Sequence, residues 1–410
     1  MPDSTCISLL SPDRRVEIRF ALGDWCADGR RSPDLPLWQV WFAGKQMLRE
    51  SRVETAAQAC GFQFVGAVRR RRKRTSAPEA GDAATRTDGD NELLVRLRER
   101  EPHRRIDLVF RCSNQGAAVR VHLPRQRGLA RVMPAGAGAV FRFPKGTMGR
   151  VPAGGTPGAT GDFRTVDLDE VTAACETPLV LNYAHGKLAC LLQVGGAALP
   201  LQPACDGLAA QAEPPPATVK TLQESPWQVL LLGDRPCDLL QNRGLLLNLG
   251  GEIARRGGAP AEDVAGQVPP PLLLPPGAAA TPAHRAAQAL ACGEGAARWD
   301  ETRYLRGEFG EFMVVARRLG RVWQVAGITG AEARILTVRL ADVLGERDGS
   351  HGAPASHPSH FLTILRDPLP SETAAGGFVR ETFPGVDALD KPRLELLPHG
   401  GFLLRLEPEA

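Results

Sequence analysis

Apolar and polar side chains alternate along most of the chain. Val16, Ile18, Phe20 and Leu22 fall on one side of Arg15–Leu22, with Glu17 and Arg19 on the other, which predicts a half-buried strand. The same two-residue period continues in Leu37–Phe42, after which Ala43-Gly44-Lys45 predicts a turn into Met47-Leu48. It returns in Glu92–Arg98 and in Arg105–Cys112, where Ile106, Leu108, Phe110 and Cys112 point inward. Asn114-Gln115-Gly116 predicts the turn into Ala118–Leu123. Ala139–Phe143, Leu179–Asn182, Leu188–Val194, Trp227–Leu232 and Leu245–Leu249 read as further strands, and Ala209–Pro216 as a loop. Later come Glu308–Arg317, a turn at Leu319-Gly320, then Val322–Thr329, Ala333–Leu340 and Phe361–Leu365. A closing hairpin runs from Leu394–Leu397 to Phe402–Leu406. No helix longer than about three turns is predicted. Short strands separated by turn signals specify antiparallel sandwiches, not a βαβ fold.

One stretch breaks the pattern. Gly257–Arg298 contains 13 Ala, 7 Pro and 6 Gly, so most of its positions carry little core side chain. It therefore reads as a disordered linker. The expected fold is all-β: a large N-terminal sandwich (a supersandwich) over residues 1–256, a Pro/Ala/Gly-rich linker over 257–298, and a small C-terminal sandwich over 299–410.

Composition narrows the classes. At 410 residues the chain has room for two or three cores. A net charge of +4 over 96 charged residues is near balance and implies no polyanionic partner by itself. The nine cysteines show no C-x-x-C spacing, so they read as reduced and structural, with Cys112 and Cys190 behaving as small hydrophobes. Met1–Thr5 opens no signal-peptide pattern, and no apolar run has bilayer-spanning length, so the expectation is a cytoplasmic protein that does not cross a membrane.

The order of motifs resembles glycoside hydrolase family 97. "SPDRRVEIRFALGD…PLWQVWFAGKQMLRESR" at residues 11–52 is similar to the opening of that family's N-terminal domain. Asn91–Pro124 resembles its middle strands, and Glu176–Leu192 and Ser225–Leu249 resemble its end. Trp299–Leu340 resembles the opening of the family's C-terminal sandwich. The resemblance implies calcium-dependent α-glucosidases and α-galactosidases whose catalytic carboxylates lie on a (β/α)₈ barrel between the two sandwiches. Such a barrel takes roughly 250 residues. Gly257–Arg298 occupies its slot, so no catalytic residue is assigned and the chain is expected to be a barrel-less relative without hydrolytic activity. The resemblance also implies a calcium-ligating glutamate near Leu188–Leu199, where Gly196 stands at the aligned place. Glu170 and Glu176 are the substitutes for carbohydrate or metal contact. Calcium is thus implied by family alone, family members being often exported, and carbohydrate is the implied partner.

Other constellations point elsewhere. Neighbours on a strand face opposite ways, so Asp300 and Glu301 cannot share a substrate. His351, His357 and His360 lie in a Pro/Ser loop without accompanying Cys or carboxylate, a poor metal set. Arg69, Arg70, Arg71, Arg72, Lys73 and Arg74 form one basic run, read as an exposed hairpin loop, with polyanion contact the functional alternative. No aromatic residue is interleaved, which disfavours nucleic acid. Trp227, Trp299 and Trp323 are candidate sugar platforms, although Trp323 also fits a core position. The rival functions are therefore a non-catalytic carbohydrate-binding module and a polyanion binder.

Overall fold

The structure, a computed structural model, describes residues 6–27, 30–53, 61–72, 89–101, 103–124, 126, 139–152, 163–172, 174–195, 200–204, 207–210, 224–241, 244–254, 280–292, 299–345, 359–372 and 377–409. These form two compact units. Among the described residues the first runs to Asp234 and adds 244–254, and the second takes 235–241 and 280–409.

The strands of the first unit are β1 (Ile7–Leu10), β2 (Val16–Ala27), β3 (Arg30–Phe42), β4 (Lys45–Val53), β5 (Phe62–Arg72) and β6 (Asp90–Glu99). They continue with β7 (Arg105–Ser113), β8 (Gly116–His122), β9 (Ala139–Phe141), β10 (Met148–Pro152), β11 (Phe163–Asp167) and β12 (Cys175–Glu176). The last are β13 (Leu179–Asn182), β14 (Leu188–Val194), β15 (Pro200–Ala204), β16 (Gly207–Ala210) and β17 (Trp227–Gly233). Eight of them form one antiparallel sheet in the order β1-β2-β3-β4-β9-β16-β15-β12. Nine form the other, β11-β10-β13-β14-β17-β8-β7-β6-β5. The predicted alternation places Val16, Ile18 and Phe20 of the first sheet in one buried core with Leu93, Val95 and Leu97 of the second. Phe110 tilts against Phe20 at 5.8 Å and Trp38 at 6.1 Å, favourable edge-type aromatic contacts between the two sheets. Tyr183 adds a polar tie, its hydroxyl donating to the Met47 carbonyl at 2.7 Å in a buried site.

Helices α1 (Pro236–Gln241) and α2 (Gly244–Ala254) follow, α1 in the second unit and α2 in the first. Leu245–Leu249, expected as a strand, thus lies in the N-terminal half of α2. A run of leucines has no β-branched residue to favour extension, and Leu245, Leu246 and Leu249 share one buried helical side.

The second unit contains helix α3 (Pro282–Cys292) and strands β18 (Glu301–Glu308), β19 (Phe312–Leu319), β20 (Val322–Thr329) and β21 (Arg334–Thr337). Helix α4 (Leu340–Leu344) leads to β22 (His360–Arg366), β23 (Val379–Val386), β24 (Arg393–Leu396) and β25 (Gly401–Pro408). A six-stranded sheet, β18-β19-β20-β25-β22-β23, faces the two-stranded sheet β21-β24. Glu308–Arg317 is not one strand: the chain turns through Gly310, at φ 77°, between β18 and β19. Within Ala333–Leu340 the paired strand is only Arg334–Thr337, and α4 starts at Leu340.

Helix α3 corrects the expected linker, which is not structureless through residues 282–292. Thr281 caps it, its hydroxyl accepting from the His284 N–H at 3.1 Å, and Pro282 takes the first helical position. Ala283, Ala287, Leu290 and Ala291 form a buried stripe at helical spacing that packs on β20 and β25. The small side chains let the backbones approach so closely that a Cβ on Gly401 would lie 2.7 Å from the His284 Cα. Both helix ends carry compensating charge. The buried Asp367 carboxylate accepts from the Thr281 hydroxyl at 2.8 Å, the Ala283 N–H at 3.3 Å and the Gly401 N–H at 2.7 Å. At the other end Arg317 donates to the Ala291 carbonyl at 3.0 Å. A carboxylate at the N-terminus and a guanidinium at the C-terminus both stabilise the helix dipole.

Candidate functional site

Among the described residues, two groups of charged side chains matter for a site, one in each unit. In the first unit, the face of the nine-stranded sheet turned away from the core carries a buried ionic layer. Register places Glu92 of β6 beside Arg70 of β5 and Arg111 of β7. Glu92 pairs with Arg111 at 3.0 Å and Arg72 at 3.1 Å. Arg111 also holds Glu252 of α2, while Arg120 pairs with Glu224 at 2.8 Å. Both guanidiniums flank the buried Trp227 ring, Arg120 at 4.3 Å and Arg111 at 5.7 Å from its centroid. Asn248 of α2 donates to Asp90 at 3.2 Å. Burial raises the Asp90 pKa to about 6, against the opposing pull of Arg111 and Asn248. This layer fastens α2 to the sheet. Its carboxylates are engaged by arginines or by Asn248, and Trp227 is closed to a sugar ring.

The basic run follows from the same register. Arg69–Arg72 are not in a loop; they are the last four residues of β5, an edge strand, and alternate between its faces. Arg70 and Arg72 turn toward Glu92, at 4.0 Å and 3.1 Å. Arg69 donates to the Ser8 carbonyl at 2.9 Å. Arg71 is left exposed with no ion pair among the described residues, and Lys73 and Arg74 lie outside them.

The remaining sequence candidates do not converge. Glu170 is exposed at the end of a short 3₁₀ turn, Leu168–Glu170. Glu176 ends β12, with its backbone paired to Pro200; its side chain and Gly196 lie outside the described residues. Among the described residues no three His, Cys, Asp or Glu side chains come together in a way that could hold a metal. Of the two carboxylates named for that contact, Glu170 therefore stands outside any such cluster, and Glu176 is not described beyond its backbone. Asp300 and Glu301 serve structure: Glu301 is buried between Arg303 at 2.7 Å and Arg318 at 3.2 Å, and Asp300 accepts from the Gly320 N–H at 2.6 Å. His360 is buried in β22, and His351 and His357 lie outside the described residues. Trp323 is buried with Arg303 4.7 Å from its ring centre, while Trp299 is half-buried near Arg317. Of the cysteines expected to be structural, Cys112, Cys175, Cys190 and Cys237 are buried, burial pushing the Cys190 thiol up to about 12 and raising Cys112 as well, whereas Cys6 and Cys26 are exposed.

In the second unit the charges line an open cleft of about 680 Å³ that sequence reading missed. It exists because a two-stranded sheet faces a six-stranded one, leaving part of β22 and β23 uncovered beside β24. Its apolar lining comes from Leu362, Ile364, Leu394 and Phe383. Register sets Phe383 opposite Leu362 and Glu381 opposite Ile364, so these side chains share one face of the sheet. Arg366 clamps one side. It makes two bonds to Glu372, at 2.7 and 2.8 Å, and one to Glu381 at 2.8 Å. The guanidinium holds the Glu372 pKa down to about 2, and the two carboxylates raise that of Arg366. The only sequence signal here was an aromatic beside Pro-Gly in Thr382-Phe383-Pro384-Gly385, which reads as a turn.

Comparison with known proteins gives a consistent result. The family model described as glycosyl-hydrolase 97 N-terminal matches residues 9–250. The model described as glycosyl-hydrolase 97 C-terminal, oligomerisation, matches residues 298–407, and no catalytic barrel is matched between them. A retaining alpha-galactosidase of Bacteroides thetaiotaomicron is 34% identical over 109 residues, which are 27% of this chain and 14% of that protein's length. A family 97 glycoside hydrolase of a Pseudoalteromonas species, solved with acarbose, superposes with a TM-score of 0.71 at 13% identity, covering 98% of this chain and 100% of that one. A variant of it solved with panose gives 0.70 at the same identity and coverage. A beta-arabinopyranosidase gives 0.64 at 13% identity, covering 97% of this chain and 100% of that one. At such identity these structures speak to fold alone.

Proposed function

The chain belongs to glycoside hydrolase family 97, and from that premise we propose that it is a carbohydrate-recognising member that does not hydrolyse glycosides. One observation carries the reading: only residues 251–297 separate the two matched domains, and α3 takes 282–292 of them for the second unit. Hydrolysis by the usual route needs two carboxylates about 5–9.5 Å apart across the scissile bond, held rigidly. A barrel that could hold them takes roughly 250 residues. The buried carboxylates of the first unit do not substitute, because they are already engaged. What supports carbohydrate as the ligand is the family, together with relatives solved with acarbose and panose.

Titration calorimetry of the purified chain against panose, maltotriose and an α-galactoside tests the reading. Saturable heat at or below millimolar sugar is expected, and the same titration run with calcium and with EDTA reads whether the ion takes part. No heat with any of the three would overturn it.

A further inference from the structure

We infer that the cleft between β23 and β24 is an oligosaccharide site, with the Phe383 ring as the platform on which a pyranose stacks and a neutral sugar chain as its occupant. The inference rests on the carbohydrate reading above and adds the place and the charge class of the ligand.

Phe383 is 44% exposed on an edge strand and lines the cleft with buried Leu362 and Leu394. An aromatic ring left uncovered in a cleft is a cost to the free protein that a bound apolar face removes. The rim supplies both signs in equal number. Arg366, Lys391 and Arg393 bring three cations, and Glu381, Asp390 and Glu395 bring three carboxylates. A polyanion would meet the carboxylates and a polycation the guanidiniums, so the rim disfavours both. A neutral polyol presents each hydroxyl as donor and acceptor together, and can use every one of these groups.

The rim is also divided into a fixed part and an available part. Arg366 is pinned by Glu372 and Glu381, and Glu372 is itself tied to the Leu369 N–H at 2.8 Å, so that side is preorganised. Glu381 gives one oxygen, Oε1, to Arg366 and keeps the other for a ligand hydroxyl. Among the described residues Lys391, Arg393 and Glu395 take part in no hydrogen bond or ion pair, and all three are exposed. The volume, about 680 Å³, is that of a small-molecule site, not of a protein interface.

The test is calorimetry of the full chain with maltotriose, comparing the wild type with Phe383→Ala, Phe383→Trp and Trp41→Ala, Trp41 being a half-buried ring of β3 in the other unit. Circular dichroism confirms that each variant folds. The expected result is at least a tenfold loss of affinity for Phe383→Ala, retention or gain for Phe383→Trp, and no change for Trp41→Ala. Wild-type binding that Phe383→Ala leaves unchanged would overturn the cleft assignment while the carbohydrate reading stood. An absence of binding by the wild type would overturn both.

Discussion

Asp367→Asn probes the part of the chain whose composition was most misleading. In the wild type one buried carboxylate receives three donors, from Thr281, Ala283 and Gly401, and so ties the start of α3 to β25. The asparagine keeps a single oxygen. That oxygen can still serve Thr281 and Gly401, but as a neutral acceptor, and the new NH₂ group faces the Ala283 N–H. Hydrogen bonds to a charged group contribute about 1.5–3 kcal/mol each and neutral ones about 1. Losing one bond and weakening two, together with about 0.5–1 kcal/mol of helix-dipole interaction, amounts to about 3 kcal/mol at the low end of these ranges. This corresponds to a factor of about 100 in the opening equilibrium of the helix. Hydrogen exchange followed by mass spectrometry reads it directly. Amides of residues 285–291 should exchange about a hundredfold faster in the variant, with β19 and β20 little changed. Equal exchange rates in the two proteins, or unprotected amides across 285–291 in the wild type, would refute the docking of α3.

Two further perturbations address the ionic layer of the first unit. Arg111→Met removes the buried guanidinium shared by Glu92 and Glu252, leaving Glu92 with Arg72 at 3.1 Å and Glu252 with Arg120 at 3.8 Å, so it should cost about 3 kcal/mol in urea unfolding; a loss below 1 kcal/mol would show that the layer does not fasten α2. Asp90 titrates near 6 in the folded protein against 3.8 as a free side chain, so the folded state binds its proton more tightly. Its contribution is most favourable below pH 3.8 and is lost as pH rises through 6, by about 3 kcal/mol in total. Asp90→Asn should therefore flatten stability between pH 4 and 6 and raise it at pH 7, as measured by urea midpoints; a variant less stable than wild type at pH 7 would contradict this.

The sandwich itself was legible because a two-residue period is a direct consequence of burying one face. Val16, Ile18 and Phe20 alternate in sequence and are all buried in the structure. The helices were less legible for two different reasons. The leucines of α2 satisfy helix and strand templates equally over a short run. In α3, alanine was read as lacking a core side chain, whereas close packing on Gly401 requires small residues there. The signals were present: Thr281-Pro282 is a capping pair, and Ala283, Ala287, Leu290 and Ala291 keep helical spacing. The basic run was visible but its neutralisation was not, because Glu92 meets Arg70 and Arg72 only through the β5–β6 register. The cleft at Phe383 left only an aromatic beside Pro384-Gly385 in the sequence, which reads as a turn. It arises from the unequal strand numbers of two facing sheets, which is a tertiary property.

The proposed function is sugar recognition without cleavage by a family 97 chain with these two domains. The most direct measurement is release of p-nitrophenol from p-nitrophenyl α-glucoside and α-galactoside by the purified full chain, with calcium supplied. The account predicts a rate indistinguishable from that of buffer. Turnover that scales with protein concentration and survives further purification would contradict it.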